Sequence, residues 1–208
     1  MTLLTVTEDL DPKLRSLGWV LRLMDKLYDS RRRAAQASFA AEEDHFNLDA
    51  GTRRHVSFPG FAYKHLTNRH GIKLRVRSVC LDLVCNVHIY RRSHPEVEVF
   101  ARFLEEFYGQ KELLFFLDVR AEVQRVTRVY SRGQQAATET VWMSHADCVR
   151  VAKGVFIDTA TLYFRDLIDT VEGQASGNGE GGATMRISLS DFLYLAMVCF
   201  TSPEEPHD

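Results

Sequence analysis

An internal repeat in the second half, at an offset of 44 residues, constrains this chain more than any other feature. Met143–Phe156 aligns with Ile187–Phe200, so that Ser144 matches Ser188, Asp147 matches Asp191, Ala152 matches Ala196 and Phe156 matches Phe200. Apolar residues coincide at 143/187, 149/193, 151/195 and 155/199 as well. Both copies run in one order: an amphipathic helix (113–130, then 162–171), a polar loop, one apolar residue, and a helix that opens on an acidic residue. The repeat predicts two equivalent helical hairpins, docked together through Met143 and Ile187.

The remainder reads as helices with little competition from strands. Asp11 and Pro12 predict a helix start, followed by Leu14, Leu17, Leu21, Met24, Leu27 and Tyr28 at three-to-four-residue spacing. The polar stretch 42–51 reads as a loop. Ser57 and Pro59 open a short helix with Phe61, Ala62, His65 and Leu66, which Gly71 closes. Val76, Val79, Cys80, Leu83, Val84 and Val87 mark the next helix. Ser93, His94 and Pro95 start another, with Phe100, Phe103, Leu104 and Phe107 on one face and Gly109 at its end. A longer helix follows over 113–130. With 45% hydrophobic and 26% charged residues, the 208-residue chain has the balance of a globular protein. The predicted class is all-α, a helical bundle that ends in the two repeated units. No run of ~18 apolar residues offers a membrane span. The first residues lack the pattern of a secretory signal. Four cysteines are too few for a disulfide scaffold, so the expectation is a reduced, intracellular protein.

Charge divides the chain. Residues 1–92 hold 16 Lys+Arg and 10 Asp+Glu, a net of +6; residues 93–208 hold 10 and 18, a net of −8. We therefore divide it into a basic helical region (1–92), an acidic region with the repeat (93–201) and a tail (202–208). Arg31, Arg32, Arg33, Arg53 and Arg54 are the leading candidates for contact with an acidic partner. Nucleic acid, an acidic lipid surface and acidic filaments all answer to that charge, as does a merely solvated surface. A net of +6 is modest for a dedicated nucleic-acid binder.

On the repeat, the chain resembles the calmodulin-like EF-hand superfamily in a degenerate form, over about 113–200. The resemblance implies that Met143 and Ile187 stand at loop position eight, joined by a short β bridge, with Asp147 and Asp191 at position twelve. Positions one, three and five are then Ala136, Thr138 and Thr140 in one loop, and Glu180, Gly182 and Thr184 in the other. The position-six glycine is replaced by Val141 and Met185. A calcium site needs six to eight oxygens, and Asp147, Asp191 and Glu180 are too few to supply them. The expectation is no bound metal and no cofactor, with Asp147 and Asp191 capping their helices. The block 95–117 is also similar to a helical module of flagellar and cytoskeletal proteins of single-celled eukaryotes, and the similarity extends back to Phe58. That resemblance implies a non-enzymatic structural or adaptor protein of the cytoskeleton, in the axoneme of a cilium or flagellum. Its partners would be other axonemal proteins and tubulin, with neither membrane nor nucleic acid among them. A calcium-responsive calmodulin-like regulator is the alternative.

A search for catalytic chemistry finds no phosphate loop, no nucleophile elbow and no zinc-binding helix motif. The glycines of 173–182 have no preceding strand and read as a flexible loop. Cys80, Cys85 and His88 do not share one helix face, and no base is placed beside Cys148 or Cys199. Phe115 and Phe116 are adjacent and cannot both face one core, so one of them is a candidate partner contact.

Overall fold

Local chemistry sets most helix boundaries in the computed structural model, which describes residues 11–43, 56–127, 141–155, 165, 167–171 and 186–201. Helix α1 covers Leu17–Glu43, α2 Phe58–His70, α3 Lys73–Tyr90, α4 Pro95–Leu104 and α5 Gln110–Thr127. Strand β1 (Trp142–Ser144) leads into α6 (His145–Val155), and β2 (Arg186–Ser188) into α7 (Leu189–Thr201). Residues 167–171 are helical too, and bury Leu167 and Val171. The described residues are thus mostly helical, as expected of an all-α chain, with one two-stranded sheet.

Helix α2 starts after Ser57 with Pro59 in its first turn, where a missing N–H costs nothing. It ends at Gly71, whose φ of 68° lies in the left-handed region that favours glycine. Two other boundaries depart from the sequence expectation. The chain from Asp11 to Ser16 is not helical. Its polar backbone groups are taken by side chains of α3, and Ser16 rather than Asp11 caps α1, its Oγ accepting the Trp19 N–H at 3.3 Å. Leu14 is accordingly exposed instead of joining the apolar stripe. Helix α4 stops at Leu104, short of the expected Gly109, because Glu106 turns left-handed at φ 58°. The Phe107 N–H donates to the Arg102 carbonyl (2.9 Å) and the Glu106 N–H to that of Phe103 (3.3 Å), the paired bonds of a Schellman end. Phe107 is thereby carried off the core face and exposed.

One apolar core spans the described elements. At its centre the Tyr28 ring of α1 meets Phe58 of α2 (5.7 Å between centroids), Phe100 of α4 (5.6 Å) and Phe116 of α5 (5.1 Å). Such rings each bury ~150–250 Å² and gain roughly 0.5–1.5 kcal/mol per pair beyond burial. Helix α4 lies against α7, α3 and α2, while α5 lies against α6 and α7. Residues from both sides of residue 92 contribute to this core.

Candidate interaction sites

The two repeat copies meet in the sheet. β1 and β2 run antiparallel with Met143 opposite Ile187, and both side chains are buried. Their pairing is the one the repeat alignment predicts. Beyond each strand the same serine N-cap recurs. The Ser144 hydroxyl donates to Asp147 Oδ2 (2.7 Å) and accepts the Asp147 N–H (3.2 Å). The Ser188 hydroxyl donates to the Asp191 carboxylate and accepts the Asp191 N–H (3.1 Å). Both carboxylates are thus turned onto their own serines at the helix starts, and Asp147 Oδ1 also lies 3.5 Å from Arg150. Glu180 lies outside the described residues. Among the described residues no three His, Cys, Asp or Glu side chains converge as metal ligands.

The proposed partner residues fare unequally. Arg31 turns inward: one Nη donates to Gln110 Oε1 (2.9 Å), and the guanidinium lies 5.1 Å over the Phe61 ring. Burial pushes its pKa down. Arg32 is half-buried, and its charge opposes the burial that raises the Asp118 carboxyl. Arg33 is exposed and donates to the Asp29 carbonyl at 3.2 Å. Arg53 and Arg54 lie outside the described residues. Phe116 is a core residue, which corrects its candidacy as a surface contact. Phe115 is half-buried and stacks on Phe200 (3.9 Å, 5° between planes), with the Lys111 ammonium 5.4 Å from that ring.

Two polar sites escaped the sequence reading. In the first, Asp82, Asn86 and Tyr90 stand four residues apart along α3 and hold the extended segment 11–16. Asp82 accepts the Lys13 N–H (2.7 Å) and a two-pronged bond from Arg15 Nε (2.9 Å) and Nη2 (2.7 Å). Asn86 accepts the Arg15 N–H and donates to the Lys13 carbonyl, and the Tyr90 hydroxyl donates to the Arg15 carbonyl. The i, i+4, i+8 spacing of these three residues is the signal that could have found them.

In the second, Arg120 of α5 is buried between Asp25 of α1 (2.5 Å) and Glu96 of α4. Its guanidinium also stands 4.8 Å over the Tyr28 ring. Burial lowers its pKa, but the charges of Glu96 and Asp25 outweigh burial and hold it above the usual value. Burial likewise raises the Tyr28 hydroxyl. No sequence signal marks the pairing, because three helices supply it.

The four cysteines are free thiols. Burial, with the Asp147 charge behind it, pushes Cys148 up to about 12, which keeps it a protonated packing residue at neutral pH. No helix among the described residues is long and apolar enough to cross a membrane. Comparison with protein-family models, with curated proteins and with solved structures finds no match for this chain.

Proposed function

We propose that this protein is a non-enzymatic structural or adaptor component whose residues 113–200 form a calcium-independent EF-hand-like pair. On this reading it serves in the axoneme of a cilium or flagellum, assembled with other cytoskeletal proteins, tubulin among them. The observation that carries the reading is the pair of matched serine–aspartate caps on paired strands. Asp147 and Asp191 each spend their carboxylate on the serine three residues before, and a metal would have to break that bond to take them. Helix α7 already lies against the chain's own α4, so its apolar face is occupied within the molecule. The axonemal placement is supported by the resemblance of block 95–117 to flagellar helical modules.

Calorimetry with millimolar calcium should register no binding heat, and salt-sensitive co-sedimentation with microtubules should be seen. Saturable calcium binding would shift the balance to the calmodulin-like regulator. No co-sedimentation at low salt, even alongside axonemal extract proteins, would remove the filament assignment. Tagging the protein in a ciliated cell tests the location directly.

A further inference from the structure

Helix α3 is apolar on two opposite faces, and the fold covers only one of them. Val76, Leu83 and Val87 are buried in the core. On the other side Leu74 (63% exposed), Val84 (43%) and Ile89 (53%) face solvent, with Leu81 half-buried beside them. Val84, which the sequence reading assigned to the core stripe, belongs to this outer face. Leu74, Leu81 and Val84 fall on the alternating three- and four-residue steps of a coiled-coil seam, whose remaining positions are the polar Arg77 and His88. The helix is 18 residues long, and from Leu74 to His88 the seam runs for about 21 Å.

Along α2 and α3 themselves the exposed charge has one sign. From Ala50 to Pro95 the only acidic residue is Asp82, which is buried and committed to Arg15. Lys64, Arg69, Lys73, Arg75, Arg77 and Arg92 are all exposed. None of these six makes an ion pair with a described residue. The start of α3 breaks two local rules in the same direction. Ile72, 66% exposed, occupies the N-cap where a serine or aspartate would bond the first turn, and that turn holds Lys73 and Arg75 where the helix dipole favours acids. Rules broken without local gain are what a functional surface looks like.

We propose that the outer face of α3 is a docking surface for an acidic amphipathic helix of another protein. The seam supplies the apolar contacts, and the exposed cations on α2 and α3 select the sign of the partner. A second copy of this chain is a poor occupant. Parallel pairing of two α3 helices sets Lys73, Arg75 and Arg77 against their own copies, and antiparallel pairing still joins two faces whose exposed charges are all positive. The inference stands on α2 and α3 and is independent of the EF-hand-like reading.

The test uses the full chain and a labelled synthetic peptide of about three heptads, with leucine at the seam positions and glutamate at the flanking ones. Binding is followed by fluorescence anisotropy at low and high salt. Binding is expected, weakened roughly tenfold by Leu74→Gln with Val84→Gln, and similarly by Arg75→Glu with Arg77→Glu. A scrambled peptide of the same composition should bind roughly tenfold more weakly than the ordered one. All four positions are exposed, so the circular dichroism melting curve should not move. Equal binding by the scrambled peptide, indifference of both variants, or no binding at all would overturn the proposal. So would phosphatidylserine vesicles competing out the peptide with the same sensitivity to both variants, which would make the face a lipid-binding one. Sedimentation showing a dimer that Leu74→Gln with Val84→Gln dissociates would assign the face to a second copy.

Discussion

Replacing Arg120 with Met tests whether the buried triad holds the bundle together. Methionine keeps most of the side-chain bulk, so the variant reports the lost charge rather than a cavity. The Asp25 and Glu96 side chains are 10% and 1% exposed and would lose the cation between them, while Tyr28 and Phe116 would lose the guanidinium stacked on their rings. Breaking a buried ion pair from one side costs about 3–5 kcal/mol, a large part of the roughly 5–15 kcal/mol that folds a domain. In a protein of this size that lowers the melting temperature by on the order of 10 °C. The loss carries a pH signature. Without Arg120, burial and mutual repulsion raise both carboxyl pKa values in the folded state above their unfolded values near 4. The folded variant then binds more protons than the unfolded chain, so its stability falls as pH rises from about 4 through the raised values. Urea unfolding followed by circular dichroism should therefore show a deficit against the wild type that is large at pH 7 and shrinks toward pH 5. Making Asp25→Leu and Glu96→Leu in the same chain should recover most of the loss, since an apolar set of similar volume needs no desolvated charge. A deficit at pH 7 below about 1 kcal/mol, or one that widens on acidification, would refute the reasoning.

Four further outcomes follow from the geometry. Asp82→Ala should cost about 2–3 kcal/mol by orphaning the Lys13 N–H and the Arg15 guanidinium, and limited trypsin digestion should cut faster after Lys13 and Arg15. Ser144→Ala and Ser188→Ala should each cost about 1 kcal/mol in thermal unfolding, the ordinary worth of an N-cap, and a silent substitution would contradict the capping role. Glu106→Gly should stabilise by up to about 1 kcal/mol, because the φ of 58° no longer strains a side chain, and a raised urea midpoint would register the gain. Partial burial and then the Arg75 and Arg69 charges lower the His70 pKa, so proton NMR should find it below the usual 6.5 and rising with salt or in Arg75→Gln. Its contribution to stability is present above pH ~6.5 and fades as pH falls through that value toward the folded pKa.

How much of this was legible in the sequence depended on whether the signal was local. The start of α2 at Ser57 and Pro59, its end at Gly71, and the pairing of Met143 with Ile187 could be read, because each rests on a few neighbouring residues or on an internal comparison. The serine–aspartate pairs were visible as matched positions of the repeat, although the expected caps were the aspartates and the N-cap role falls to the serines. What failed needed tertiary knowledge. Asp11 and Pro12 have the chemistry of a helix start, but Asp82, Asn86 and Tyr90 bind that backbone better as an extended strand of chain. Phe107 continues an apolar period, yet the Schellman turn at Glu106 removes it from the helix. Val84 fits the core stripe of α3 in sequence and faces outward in space, since two apolar stripes on one helix cannot be assigned to inside and outside by period alone.

The uneven charge of the chain acquires a physical meaning once the pairs are known. Part of the positive excess of residues 1–92 is structural. Arg91 is held by Glu98 and Glu105 from the acidic half, and Arg31 reaches Gln110 and the Phe61 ring. Arg15 is consumed by Asp82 within the basic half itself. Contacts of this kind cross residue 92 in both directions, as Arg120 does toward Asp25, so the two halves are joined by their opposite charges as well as by the core. Subtracting these pairs leaves exposed cations on α1 (Arg22, Lys26 and Arg33) and, with no exposed acid on the same elements, on α2 and α3 (Lys64, Arg69, Lys73, Arg75 and Arg77). Exposed leucine, valine and isoleucine lie among those cations, so transfer of this surface from water would carry an apolar gain that a purely solvated basic face lacks. Charge alone would attract any anion; charge around an apolar helical seam restricts the choice to anions that also bring an apolar face of the same period.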